Sequence, residues 1–211
     1  MFTEGFTING KHSYADYGLN VKKRQLGFPA KRSIRKTVPF MNGYHDFTRI
    51  NGSDTWGERL LSYTFDIIGN TPAEVDEECT RILNWLGNVH EADIYDDTMP
   101  EYHLHGSFES ASPTESEDGE QTELTVTFVC QPFKIANEYT EKSANGNFSI
   151  ENVGQAVRLY VVSSAATSVT IGGTTQSISA GETELPMLLR NGITTGTAAT
   201  AVTFRWRTEV L

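Results

Sequence analysis

The stretch "YHDFTRINGSDTWGERLLSYTFDIIG", residues 44–69, holds a group of polar side chains followed by the clearest strand pattern of the chain. In its second half apolar and polar positions alternate, which is the period of a β-strand with one buried face. The side chains predicted to face a core are Leu61, Tyr63, Phe65 and Ile67. We therefore predict a core strand here, preceded by a turn or loop over "INGSDTWG", residues 50–57.

The polar residues of this stretch can be interpreted as a catalytic cluster or as part of a structural element. His45 and Asp46 are neighbours in sequence, and on a strand they would point to opposite faces, which argues against a catalytic pair. Glu58 and Arg59 stand at the start of the predicted strand. We expect these two to fix the strand register or to contact a neighbouring subunit.

The segment after this strand predicts a helix over residues 71–87. Thr71 can cap the N-terminus, Pro72 suits the first helical position, and Glu74 completes a capping box. Gly87 is a natural C-terminal stop. The apolar residues spaced along one face of this helix are Val75, Cys79, Ile82, Leu83 and Leu86.

The patterns on both sides of the helix are those of strands. Asn9-Gly10 and Asn42-Gly43 are hairpin signals in the N-terminal part. Residues 92–111 and 122–133 predict a pair of strands, and the second should bury Leu124, Val126, Phe128 and Cys130. Between them, the acidic segment "SPTESEDGEQTE", residues 112–123, predicts a solvated loop or a mobile arm.

A length of 211 residues suits one large or two small domains. The composition changes around residues 132–147, where charge falls and Thr, Ser, Gly and Val become more frequent. We predict an N-terminal domain over 1–134, a linker over 135–147 and a C-terminal domain over 148–211. The last segment has short strand signals separated by glycine turns, typical of a small antiparallel β-sandwich. The predicted fold class is thus mainly β.

The formal net charge of −10 is distributed unevenly along the chain. Residues 1–49 carry +6 and residues 50–134 carry −15, whereas the rest is nearly neutral. The segment 22–36 contains seven bases and no acid. It can be a nucleic-acid surface, a solvated face or a protein–protein interface, and the adjoining −15 region argues against phosphate binding.

The chain contains none of the motifs GxSxG, HExxH, GxxxxGK[ST] or GxGxxG. His103 and His105 would share one face of a strand, a geometry that metals use, but a third ligand would have to converge from His90, Glu91 or Asp93. The alternative is two polar residues on a solvent face. Asp93, Asp96 and Asp97 lack the spacing of a calcium loop. We predict no catalytic residue, no metal and no cofactor, and therefore not an enzyme.

Cys79 and Cys130 lie among apolar neighbours and belong to no CxxC pair, so we expect buried, reduced thiols. The N-terminus lacks the basic region and apolar run of a signal peptide. No apolar run approaches the roughly 18 residues that span a bilayer. We expect a soluble protein made in the cytosol.

The order of these features resembles the distal tail proteins of long-tailed phages. The likeness begins at "GFTINGKHSYADYGLNV", residues 5–21, and continues through "VPFMNGYHDFT", residues 38–48. It is most specific in "WGERLLSYTFDIIG", residues 56–69, which leads into the predicted helix. "ENVGQAVRLYVV", residues 151–162, is similar to the start of the family's C-terminal sandwich. The likeness covers most of the chain.

The resemblance implies an N-terminal β-sandwich or barrel related to tail-tube proteins, with one helix, and a galectin-like C-terminal β-sandwich. It implies six copies in a ring at the virion tail tip, joining the tail tube to the tip hub protein and passing DNA through the lumen. Receptor-binding and tape-measure proteins are further expected partners, whereas specific nucleic-acid binding and a membrane are not. The candidate contacts between subunits are Lys22, Lys23, Arg24, Lys31, Arg32, Arg35, Lys36, Glu58 and Arg59.

The alternative function is a binding module whose C-terminal sandwich engages a host-surface saccharide or anchors a receptor-binding protein. Sugar sites usually offer an exposed aromatic ring for stacking, and the sequence suggests Tyr160, Phe204 or Trp206. If the alternation in "TFRWR" buries Phe204 and Trp206, this platform is lost. The chain also has no room for the inserted carbohydrate-binding module that some family members carry.

Overall fold

The computed structural model describes residues 4–49, 54–117 and 120–211. The fold is mainly β: an N-terminal barrel-like β domain that carries a helix, and a C-terminal antiparallel β-sandwich. The chain divides into two compact units, Met1–Phe133 together with Leu211, and Lys134–Val210.

The elements of the first unit are β1 (Phe6–Ile8), β2 (Lys11–His12), β3 (Val21–Leu26), β4 (Lys31–Arg32), β5 (Arg35–Lys36), β6 (His45–Asp46), β7 (Thr55–Trp56), β8 (Arg59–Ile68), α1 (Pro72–Leu86), β9 (Ala92–Asp96), β10 (Tyr102–Glu115) and β11 (Gln121–Cys130). Those of the second unit are β12 (Lys134–Ala136), β13 (Thr140–Asn152), β14 (Val157–Ser163), β15 (Thr167–Ile171), β16 (Thr174–Ile178), β17 (Gly181–Leu189), β18 (Gly192–Trp206) and β19 (Glu209–Val210).

Strand β8 lies inside the main sheet of the first unit, whose strands run in the order β2-β1-β9-β10-β11-β8-β3. It pairs with β11 on one side and with β3 on the other. The predicted alternation is confirmed, because Leu61, Tyr63, Phe65 and Ile67 are all buried. The predicted core residues of β11 are buried as well and lie opposite them, with the pairs Leu61–Phe128, Tyr63–Val126 and Phe65–Leu124.

Contacts through the interior hold the rolled sheet nearly closed. Arg24 on β3 is ion-paired with Asp96 on β9. The Tyr63 hydroxyl on β8 donates to the same carboxylate at 2.5 Å. Phe6 on β1 stacks on Tyr63 with ring centroids 4.4 Å apart. Because these pairs join strands that are not neighbours in the sheet, they fasten its two ends around the core.

Helix α1 forms where the capping signals predicted it. Thr71 is the N-cap and accepts a hydrogen bond from the Glu74 amide at 3.3 Å, and Gly87 is the C-cap. The Glu74 carboxylate accepts from the Asn70 amide at 2.8 Å, one residue earlier than a standard capping box requires.

The apolar face of α1 is narrower than the sequence predicted. Val75, Ile82 and Leu86 are buried, whereas Cys79 is half-buried. Leu83 is 36% exposed. The outer edge of the predicted face therefore stays open to solvent.

Two predicted boundaries near the acidic segment were wrong. Residues 92–111 do not form one strand, because the chain turns after Asp96 and β10 returns antiparallel to β9. The loop predicted over 112–123 is short, since β10 runs to Glu115 and β11 begins at Gln121. The end of β10 is exposed, so polar residues occupy it without breaking the ladder.

The second unit is an antiparallel sheet system around its own apolar core. Its main order is β16-β15-β18-β14-β17, and β13 pairs along β18. β12 pairs with β19. Phe148 on β13 contacts Phe204 on β18, with ring centroids 4.4 Å apart.

The segment 135–147, predicted as a linker, is not a free connection. Its second part forms the first half of β13, paired with β18 from Thr140–Trp206 to Ala144–Val202. This half of β13 is mostly exposed, with no alternation of apolar residues. The strand is therefore held by its backbone ladder, which hydrophobic periodicity does not reveal.

Candidate assembly surface

A long excursion joins β3 to β8, and we call residues 27–58 the arm. The structure describes it over 27–49 and 54–58. At its base the Gly27 amide donates to the Leu60 carbonyl at 2.8 Å. Two short antiparallel ladders follow, β4 with β7 and then β5 with β6. Of the turn or loop predicted over 50–57, residues 50–53 lie outside the described residues, and Thr55–Trp56 form β7.

Almost nothing in the arm is buried. Every residue from 30 to 47 is exposed, including large apolar side chains. Phe28 is 89% exposed and Phe40, at the tip, is fully exposed. The others are Ile34, Val38, Met41, Tyr44 and Phe47. An isolated two-stranded hairpin is marginally stable in water, and contiguous exposed apolar surface marks interaction sites. The arm thus has the character of a surface that a partner covers.

Ion pairs tie the two sides of the arm together. Asp54 accepts from Lys31 at 2.7 Å and from Arg49 at 2.6 Å, and these two partners hold the pKa of its carboxyl well below the ordinary value. Arg35 pairs with Asp46 at 3.3 Å. Hydrogen bonds from Thr48, and then from Arg35, lower the pKa of Asp46. A cavity of 420 Å³ between the ladders is lined by these same side chains.

Two bases of the arm remain available for other contacts. Arg32 and Lys36 are exposed, and neither forms an ion pair within the part of the chain that the structure describes. Of the seven bases in segment 22–36, the arm carries Lys31, Arg32, Arg35 and Lys36. They lie beside the exposed apolar side chains, so the arm surface is both basic and apolar.

The remaining bases of that segment lie on β3, and two of them form ion pairs within the first unit. Lys22 is ion-paired with Asp66 at 3.0 Å and with Glu123 at 2.6 Å, and the hydrogen bond to Glu123 is the main cause of its raised pKa. Arg24 reaches inward to Asp96. Lys23 is exposed on the outer side of the strand.

Glu58 and Arg59 do not act as a pair. Glu58 is exposed, whereas Arg59 is 2% exposed and lies opposite Cys130 in the ladder. Arg59 belongs to the inward-facing row of β8, and burial lowers its pKa. The Arg59 side chain is closed to a neighbouring subunit in this conformation, which favours the other predicted role, fixing the register of β8.

Sequence reasoning missed the apolar residues of the arm. Phe28, Val38 and Phe40 flank Pro29 and Pro39, and they follow neither a period of two nor one of 3.6. One signal could have revealed them. Bulky apolar residues occur together with bases in a segment whose spacing matches neither a strand nor a helix with one buried face.

The two histidines of the predicted pair both lie near Asp93. His105 Nδ1 lies 2.8 Å from an Asp93 oxygen, and His103 Nε2 lies 3.7 Å from the same atom. The expected solvent face is wrong for His103, which is 2% exposed and packs on Tyr95. No group of three or more His, Cys, Asp or Glu side chains in the described parts of the chain is arranged to hold a metal.

In the second unit the predicted aromatic platform is buried. Phe204 and Trp206 point into the core at 0% and 3% exposure. Tyr160, the third predicted ring, is half-buried. The structure therefore removes two of the three rings on which the saccharide alternative relied.

Among the described residues, no helix is long and apolar enough to cross a membrane. No family model matches the chain, and no curated protein matches it. The solved structures do provide matches. The distal tail protein (Dit) of phage SPP1, a hub of the adsorption apparatus in phages that infect Gram-positive bacteria, superposes with a TM-score of 0.77 and 16% identity over 100% of both chains. The chain has the distal tail protein fold.

Two structures of the phage p2 baseplate in its activated conformation, one with Sr and one with Ca, also match. Their TM-scores are 0.46 and 0.44, with 8% and 7% identity over 98% of each chain. The match to SPP1 Dit confirms, at the level of the fold, the resemblance noted in the sequence.

Proposed function

We propose that this protein is a structural component of a phage tail tip, where six copies form a ring that joins the tail tube to the tip hub protein. The observation that carries the proposal is the likeness to SPP1 Dit, which extends over the whole of both chains. A match of that extent includes both units and the helix, rather than one common β-sandwich.

The arm supports an assembly role. Its exposed apolar side chains would be a solubility liability in a protein that worked as a monomer. A ring requires that one patch of each copy meet a different patch on the next. The basic arm and the acidic remainder of the first unit offer two such patches of opposite charge.

The charge of the chain also fits a conduit for DNA. A net charge of −10 disfavours adhesion of a polyanion, because nucleic-acid binding depends on cations that displace counterions from phosphates. We infer that DNA passes through the lumen of the ring without specific binding.

The proposed partners are further copies of this chain, the tail tube protein and the tip hub protein. Receptor-binding and tape-measure proteins are additional partners in this proposal, and the C-terminal sandwich, galectin-like in shape, lies on the outside of the ring. The protein is made in the host bacterial cytoplasm and ends in the virion tail tip.

The experiment is negative-stain electron microscopy of the purified protein at micromolar concentration in low salt. The proposal expects annular particles with six-fold symmetry that become fewer as ionic strength rises, since contacts between opposite charges are screened. Monodisperse particles of one chain at every salt concentration would overturn it.

A further inference from the structure

A groove on the first unit lies between α1 and the paired ends of β10 and β11. Its volume is 210 Å³, and its apolar lining includes Val75, Cys79, Leu83 and Pro113. Pockets that bury drug-sized ligands measure roughly 300–1,000 Å³. This groove is thus of a size for one or two side chains of another protein.

The groove is surrounded by negative charge. The exposed carboxylates of Asp76 and Glu115 are part of its lining. Both act on Cys79, whose pKa is raised first by burial and then by Asp76, Glu78 and Glu115. Arg81, on the same helix, is already ion-paired with Glu78. The matching occupant is therefore apolar and carries positive charge.

The tip of the arm has this chemistry. Phe40 and Met41 are exposed at the turn, and the Phe40 side chain is fully exposed. Lys36 on β5 and Arg32 on β4 are the two exposed bases of the arm with no ion pair in the described residues. The arm thus presents two apolar side chains at its tip, with positive charge a few residues away.

The arm base and the groove lie at opposite ends of β8. At the arm base, the Gly27 amide donates a hydrogen bond to the Leu60 carbonyl, near the start of β8. Near the other end of β8, Ile67 lies opposite Thr122, which lines the groove. Leu60 and Ile67 are seven residue steps apart along the extended strand, a distance of about 23 Å. Each copy therefore offers two complementary patches at separate places, which is the requirement for a head-to-tail interface.

We propose that the arm tip of one copy, through Phe40 and Met41, occupies the α1 groove of the next copy, with Lys36 on the side of Asp76 and Glu115. This inference rests on the proposed ring and specifies its interface. The partner is a second copy of this chain because one molecule carries both halves of the complementary pair.

The groove contains a native thiol, which allows a direct test by disulfide trapping. Met41→Cys introduces a thiol at the exposed tip, and mild oxidation in low salt should join it to Cys79 of the neighbour. We expect a ladder of covalent multimers on a non-reducing denaturing gel. Met41→Cys combined with Cys79→Ser should give no ladder, and Ser149→Cys, an exposed position on β13, serves as the matched control for random collisions.

Charge reversal provides an independent measurement. Asp76→Lys with Glu115→Lys should raise the protein concentration needed for half-assembly by at least roughly ten-fold, because like charges then face each other across the interface. Glu77→Lys changes charge on the same helix outside the groove and should have a much smaller effect. Adding Lys36→Glu to the groove variant should restore part of the assembly.

The outcomes separate this inference from the proposed function. If the protein assembles but Met41→Cys gives no Cys79-dependent ladder and the groove charges have no effect, the arm–groove contact is wrong while the ring proposal stands. If the wild-type chain does not assemble at all, both are overturned. A Cys79-dependent ladder, with the expected difference between groove and control reversals, supports the contact.

Discussion

The hydroxyl of Tyr63 donates a 2.5 Å hydrogen bond to Asp96 inside the first unit, joining β8 to β9 across the rolled sheet. Asp96 also accepts from the Thr98 amide at 2.9 Å and is ion-paired with Arg24. Its side chain is 1% exposed, so its charge depends on these donors. The Asp96 carboxylate thus joins β3, β8 and β9 through polar contacts inside a mainly apolar core.

Tyr63→Phe should destabilise the first unit by about 1–3 kcal/mol, because a buried acceptor loses a donor. Asp96→Asn should cost more, about 3–5 kcal/mol, since Arg24 then loses its charged partner. Thermal unfolding followed by circular dichroism measures both. Glu101→Gln, at an exposed position, should leave the unfolding temperature unchanged. Equal stability of Tyr63→Phe and wild type would show that this bond does not hold the sheet closed.

The arm should respond to acid because the pKa values of Asp54 and Asp46 are lowered in the folded state. A carboxyl with a lowered folded pKa contributes stability that is present above its unfolded pKa of about 3.9 and is lost as the pH falls through the folded value. NMR titration of the Asp54 carboxyl should show a midpoint well below about 3.9. In Arg49→Gln the midpoint should move upward, and an unchanged midpoint would contradict the assigned cause.

The two cysteines should differ in reactivity. Burial raises the pKa of Cys130 to about 12, so its thiolate is scarce and shielded at pH 8. Cys79 is half-buried and should react slowly with Ellman's reagent in the native protein. We expect one reactive thiol in the native state and two after denaturation, with the native signal lost in Cys79→Ser. Two rapidly reacting native thiols would contradict the burial of Cys130.

Arg59→Met tests whether Arg59 has a role beyond its own unit. Burial lowers the pKa of Arg59, and its Nε and Nη2 find no acceptor in the described parts of the chain. Replacing such a group by an apolar side chain of similar length should leave the unfolding temperature unchanged or raise it. Assembly should also be unchanged. A folded variant that no longer assembles would restore the sequence-based prediction that Arg59 contacts a neighbour.

The parts of the fold that sequence predicted are those with strict periodicity or local caps. The alternation in β8 and β11 identified the core rows, and Thr71 with Gly87 identified the bounds of α1. The first half of β13 was missed because its ladder buries little apolar surface. The open edge at Leu83 was missed because helical spacing predicts a face but not its width.

The candidate site was predicted only in part. The basic segment 22–36 was recognised from its charge, but charge does not distinguish Lys22 and Arg24, which serve the sheet, from Arg32 and Lys36, which face solvent. Whether a base is ion-paired depends on which carboxylates the fold places beside it, and the sequence does not show this. Phe40 was missed because an exposed apolar residue has no periodic signature before the fold is known.

In the proposed ring, the arm tip holds neighbouring copies together. Native mass spectrometry of the wild-type chain, beside a variant with Phe40→Ser and Met41→Ser, tests it most directly. Both side chains are exposed, so the variant should unfold at the wild-type temperature. We predict a six-copy species for the wild type in low salt and a single-chain mass for the variant. A wild type that is monomeric, or a variant that still forms six-copy species, would contradict the account.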